Sequence, residues 1–253
     1  MVPALGADTL LAFLLATVRA GAWLVVAPPF NGRSIPAPVK ALLAVAFALP
    51  VTSHLAGHLP PIDMPSILGA VVVQVAVGAG LGFVVYLLMA AIQAAGSLID
   101  LFGGFTLASA FDPLSLSQTA VFGRLHQFLT VLLLLVTDAH LIVLQGFFRS
   151  YEAIPLDGSL PMSSLSSALV VGMGGFFVAA LEIAAPLIGV LFLADVGLGL
   201  LTKVAPSLNA FQLGFPLKIL MALLLAGLTF PLLPGFVAEL ARRATAVISG
   251  LVG

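Results

Sequence analysis

The most constraining feature of the sequence is a run of 36 residues, Met64 to Ile99, that holds no Asp, Glu, Lys or Arg. A straight helix of that length would reach about 54 Å at 1.5 Å per residue, whereas the hydrocarbon core of a bilayer is about 30 Å thick. Simple spanning does not need so much. Either the helix bends, or part of it is buried against other protein outside the lipid, and both outcomes favour a subunit of an assembly over a free bundle of spans.

Composition agrees with burial in lipid or in other apolar protein. Hydrophobic residues make up 61% of the chain and charged residues 8%, with a mean hydropathy of +1.24, more apolar surface than a soluble domain of this size can hide. Nine Lys and Arg against ten Asp and Glu leave a net charge of -1, which offers no basic face to nucleic acid. Cysteine is absent, so disulfides and thiolate metal sites are excluded. The opening residues lack the basic region of a secretory signal, and the first apolar stretch is expected to remain as a span.

Long apolar runs bounded by Pro, polar or charged residues mark six helical segments: Thr9 to Phe30, Val39 to Ala56, Ser66 to Ile99, Val121 to Phe148, Ser167 to Ala194 and Phe215 to Val237. The fold class expected is therefore all-α: a polytopic membrane protein of about six long, kinked hydrophobic helices in a single domain, 1–253. Breakers lie between them at Pro36 and Pro38, Pro60, Pro61 and Pro65, Pro113, Pro155 and Pro161, and Pro206. Arg33, Lys40, Arg124, Lys203 and Lys218 sit in or beside the first, third and fifth connections, which places those connections in the cytoplasm and both termini outside.

Gly78 and Gly82, four apart with Gly80 between them, and Gly172, Gly174 and Gly175 are small enough to let helix backbones approach, either within the chain or against another subunit. Five ionisable residues fall within apolar segments: Arg19, Asp138, His140, Glu182 and Asp195. At a bilayer centre each costs about 2.5 to 3.5 kcal/mol on insertion scales, so they are expected to face protein or water, with Arg19 and Glu182 as one possible pair. A proton relay is the functional alternative. Asp138 and His140 are two apart and point to different sides of a helix, and Asp195 is read as a helix end. His54 and His58 have the i, i+4 spacing of helical metal ligands, but only Asp63 is near enough in sequence to offer a third, and no Glu of a zinc hydrolase lies between them. No nucleophile motif or phosphate loop is present, so neither an enzyme nor a cofactor is expected.

Several blocks resemble a known family. They are Pro29-Phe30-Asn31-Gly32-Arg33-Ser34-Ile35-Pro36, the stretch from Asp100 through Gly104-Phe105-Thr106 to Phe111-Asp112-Pro113, Thr137-Asp138-Ala139-His140 followed by Ile154-Pro155, and above all Ala205 through Gly214-Phe215-Pro216-Leu217-Lys218-Ile219. Together they resemble the FliR family, components of the flagellar type III secretion export gate. The resemblance implies a part, 1–165, similar to FliP and a C-terminal helical hairpin, 166–253, similar to FliQ. It also implies assembly with FliP and FliQ into a closed ring in the bacterial inner membrane at the flagellar basal body. FlhB is expected beneath the connection that carries Lys203, Asn209, Gln212 and Lys218, with FlhA nearby and unfolded flagellar proteins in transit.

Within that resemblance, loop 101–118 is the expected gate. Phe102, Phe105 and Phe111 are bulky enough to seal a narrow lumen, and Gly103 and Gly104 leave the backbone room to move. The competing reading makes these aromatics ordinary core of a helix pair. An injectisome homologue, a proton-coupled secondary transporter using Asp138 and Glu182, and a passive scaffold are the alternative functions; no symmetry between two halves of the kind common in transporters is evident.

Overall fold

The computed structural model describes residues 6–32, 35–55, 57, 59–106, 120–157, 162–205 and 210–250, with the side chains of 162–164 and 210–213 excepted. Eight α-helices are described: α1 (Ala7–Val26), α2 (Ala37–Leu55), α3 (Met64–Phe102), α4 (Val121–Val136), α5 (Ala139–Ala153), α6 (Met162–Val204), α7 (Ala210–Thr229) and α8 (Leu233–Ser249), with a 3-10 turn at Phe230–Leu232. Five stretches are long and apolar enough to cross a membrane, and the bent pair α4 and α5 makes a sixth. The protein is an all-α polytopic membrane protein, and every expected segment has its helix.

Local chemistry sets the ends. Asp8 lies in the first turn of α1, where a carboxylate favours the dipole, and Pro28 and Pro29 follow its last turn. α2 opens on Pro36 and Pro38 and carries Pro50 inside, where a missing N–H interrupts the ladder. Asp63 caps α3: its carboxylate accepts the Ser66 N–H at 2.9 Å. α3 then runs for 39 residues and α6 for 43, about 58 and 64 Å at the helical rise, roughly twice the hydrocarbon thickness.

Two expectations are corrected. The fourth segment is not one helix: it breaks after Val136, and Asp138 adopts the left-handed conformation, φ 56°. Asp is among the few non-glycine residues that tolerate this geometry, and Thr137 secures the end of α4 by donating both its N–H and its hydroxyl to the Leu133 carbonyl. Asp195 does not end a helix either. α6 continues past it to Val204, because the Asp195 carboxylate pairs with the Lys218 ammonium at 2.9 Å and its charge does not stand alone.

The chain packs as two units that interleave along the sequence. The first holds residues 1–88, 138–175 and 240–253; the second holds 89–137 and 176–239. In the first, Trp23 stacks on Phe147 with ring centroids 4.6 Å apart, and Phe30, Phe47, Phe148 and Tyr151 extend the aromatic cluster. The glycine pair of α3 serves this packing. A Cβ on Gly78 would collide with the Arg19 carbonyl oxygen and lie 3.0 Å from the Ala22 Cβ, and one on Gly82 would come within 3.1 Å of the Trp23 carbonyl oxygen. α1 and α3 therefore touch backbone to backbone, the intramolecular use of a small-xxx-small pattern. In the second unit the core is Ile99, Phe122, Leu187 and Ala226, with Phe105, Leu225 and Phe230 against it.

Candidate functional site

The second unit's core lies at the two ends of the expected gate loop. At the first end α3 stops in a glycine turn: the Gly103 N–H donates to the Ile99 carbonyl at 2.8 Å, and Gly104 takes φ 84°, a conformation that a Cβ disfavours. Both glycines are buried. A Cβ on Gly103 would lie 3.0 Å from the Ala222 Cβ, and one on Gly104 would lie 3.3 Å from the Phe215 ring. Phe105, half-buried, meets Phe122 edge to face at 5.3 Å.

At the second end α4 begins with Ala120 in the capping position, a residue with no side-chain acceptor. Its first amides are met from elsewhere. Asp100, fully buried near the end of α3, accepts the Phe122 N–H on Oδ1 at 3.0 Å and the Gly123 N–H on Oδ2 at 2.9 Å. A carboxylate placed on the open amides of a helix start has both their hydrogen bonds and the positive end of the dipole. Small residues make the approach possible: a Cβ on Gly96 would lie 2.5 Å from the Phe122 carbonyl oxygen, and one on Gly123 would lie 2.6 Å from the Ser97 hydroxyl. One turn further on, buried His126 takes the Phe122 carbonyl at 2.8 Å through Nδ1, while its Nε2 has no partner among the described residues.

The other expected site residues are placed as follows. Phe102 is the last, half-buried residue of α3, whereas Phe111 and Asn209 lie outside the described residues, as does the side chain of Gln212. Lys203 is exposed in the last turn of α6, and Lys218, in α7, is engaged with Asp195. Asp138 is exposed at its bend, His140 is half-buried, and Glu182 is exposed on α6. Arg19 is fully buried in the first unit. Its Nε donates to the Gln74 amide oxygen at 2.7 Å, Nη1 to the Ser150 carbonyl at 2.9 Å, and Nη2 to the Ile154 carbonyl at 2.8 Å; the guanidinium lies 4.6 Å from the centre of the Tyr151 ring. Glu182, the expected partner, is not in this set.

Sequence reasoning passed over Asp100, His126 and Gln74 as site residues. Asp100 had one available signal, being the first charge after the 36-residue neutral run, but its partners stand 22 and 23 positions away. His58 lies outside the described residues, and among those described no three His, Cys, Asp or Glu gather as a metal site. Chemically the arrangement is a clamp, a buried carboxylate near the end of α3 holding the first amides of α4.

Comparison with known proteins follows the same lines. The pattern of the family described as "Bacterial export proteins, family 1" matches residues 10–244. The chain is 32% identical to "Flagellar biosynthetic protein FliR" of Bacillus subtilis over 224 residues, covering 86% of this chain and 85% of the relative. It is 34% identical to the protein of the same name from Pectobacterium carotovorum, with 88% and 85% covered. "Yop proteins translocation protein T" of Yersinia pestis is 32% identical over 154 residues, covering 60% of this chain and 59% of that protein.

Proposed function

The chain belongs to the FliR family of bacterial export proteins and is a membrane component of a type III export apparatus, and we propose that it forms part of the wall and the plug of the export pore itself. The observation that carries this reading is the clamp: the two described ends of the expected gate segment meet one core, at the glycine turn of Gly103 and Gly104 and at Asp100 on the first amides of α4. A base fixed at both described ends suits a seal that yields to a passing chain and returns. Phe102, Phe105 and Phe111 are the sealing side chains, which a passing unfolded polypeptide displaces.

The chain joins FliP-like and FliQ-like subunits in the bacterial inner membrane at the flagellar basal body, with 1–165 in the FliP-like role and 166–253 as a FliQ-like hairpin. Helices twice as long as a bilayer is thick fit such a setting, because neighbouring subunits cover the apolar length that lipid does not. A flagellar role is favoured over an injectisome one by coverage: flagellar relatives align over 86% and 88% of the chain, the Yersinia protein over 60%. A proton-coupled transporter has less support, since Arg19 is committed to structural hydrogen bonds and Asp138 serves a bend.

The connection between α6 and α7 is the cytoplasmic contact, where Lys203, Asn209, Gln212 and Lys218 meet an FlhB-like partner with FlhA nearby. In the native host, deleting the gene is expected to abolish export of flagellar proteins without reducing their synthesis, and photocrosslinkers at Asn209 and Gln212 to capture the FlhB-like protein. Normal export from the deletion strain would overturn the function, and capture of periplasmic proteins alone would overturn the orientation and the partner.

A further inference from the structure

We propose that a groove between α2 and α5 in the first unit binds a zwitterionic phospholipid with a primary ammonium headgroup. The phosphate lies on Arg149, the ammonium on Glu152, and an acyl chain runs along the apolar wall. The groove has a volume of about 680 Å³, within the range of small-molecule sites, and only those two helices line it. On α5 its lining includes Leu141, Leu144, Gln145, Phe148, Arg149 and Glu152, three or one apart, which is a single helical stripe. The stripe is graded. It starts apolar at Leu141 and Leu144, with Pro50 and Val51 contributing from α2, and ends on two opposite charges that are both exposed. His54, exposed in the last turn of α2, lines the same groove.

The two charges are placed to meet each other and do not. Among the described residues neither the Arg149 nor the Glu152 side chain has an ion pair or a hydrogen bond. Glu152 stands in the last turn of α5, beside the negative end of the helix dipole, and that turn has no basic residue to offset it. A cation from outside the chain is therefore favoured there, and an anion one turn earlier on the guanidinium. A phosphoethanolamine headgroup carries both, two carbons apart, which suits side chains whose Cβ atoms are about 5–6 Å apart at i, i+3. The guanidinium fork takes two phosphate oxygens, His54 and Gln145 offer further donors to phosphate and ester oxygens, and the ammonium donates to the Glu152 carboxylate. A quaternary ammonium has no N–H to give, and a glycerol headgroup brings no cation to Glu152. Because the helices cross a membrane, the apolar wall meets acyl chains directly, so lipid fits the whole groove where a soluble zwitterion fits only its polar end.

The test uses the purified complex, stripped of lipid in detergent, with binding of added phosphatidylethanolamine, phosphatidylcholine and phosphatidylglycerol followed by native mass spectrometry. The parent is expected to bind phosphatidylethanolamine about tenfold more tightly than the other two, the worth of one charge-assisted hydrogen bond. Glu152→Gln should abolish that preference and leave phosphatidylglycerol binding unchanged, whereas Arg149→Gln should weaken all three lipids. Leu144→Trp fills the apolar wall without touching either charge, and it too should weaken all three. A parent without the preference, a preference that survives Glu152→Gln, or binding untouched by Leu144→Trp would overturn the site. A photocrosslinker at Leu144 that captures a protein subunit and no lipid would overturn it as well, by showing the groove to be an interface between subunits.

Discussion

Replacing Arg19 by Leu is expected to destabilise the first unit by about 3 to 5 kcal/mol, the range for removing one partner from a buried, hydrogen-bonded charge network. The side chain joins three parts of the chain. From α1 it reaches Gln74 on α3, the Ser150 carbonyl of α5 and the Ile154 carbonyl just beyond it, with Pro155 at 3.4 Å. Tyr151 packs against the guanidinium and returns its hydroxyl to the Ala16 carbonyl at 2.8 Å. Leu restores volume but leaves the buried Gln74 amide oxygen and the Ile154 carbonyl without the guanidinium donors, and the Ser150 carbonyl with only the Ile154 N–H. Lys keeps the charge and loses the planar fork, so Arg19→Lys should fall between the two. Thermal unfolding of the purified complex in detergent measures the difference. An Arg19→Leu complex that melts with the parent would show that the network contributes nothing.

Deleting Gly104 to Phe111 is expected to open the resting membrane to small ions while leaving the spans in place. The deletion removes the left-handed glycine, the Phe105 ring that packs on Phe122, and Phe111, and leaves α3 and α4 in the chain. Hydrophobic constrictions exclude ions by dewetting, so loss of the sealing rings acts on conductance far more than on assembly. The measurement is ion flux into cells carrying the assembled variant complex. A deletion complex as tight as the parent would contradict the plug.

Most of the fold was legible because lipid imposes a length and a polarity that sequence displays directly. Six apolar stretches predicted six spanning elements, and Gly78 and Gly82 announced a close helix contact that the structure places on α1. What sequence missed was decided by pairing. Asp195 looked like a boundary because a lone charge ends an apolar run, yet Lys218 neutralises it and the helix continues. Asp138 looked like a candidate in mid-span, yet it forms the bend between α4 and α5, where no Gly or Pro gave warning. Arg19 drew notice as an ionisable residue in lipid, but its partners are mainly carbonyl oxygens, which every residue carries and no pattern distinguishes. Asp100 was hidden for the same reason: its partners are backbone amides 22 and 23 positions away, and only the fold brings them together.

The central claim, that the loop lies in the path of exported protein, is open to a direct measurement because the chain contains no cysteine. A single Phe111→Cys, in a complex that still exports, can be paired with a substrate stalled in transit by a folded domain and carrying one cysteine of its own. Under oxidising conditions the account predicts a disulfide between loop and substrate that forms only while the substrate is stalled. A loop cysteine that reacts with lipid-soluble reagents and never joins the stalled substrate would contradict it.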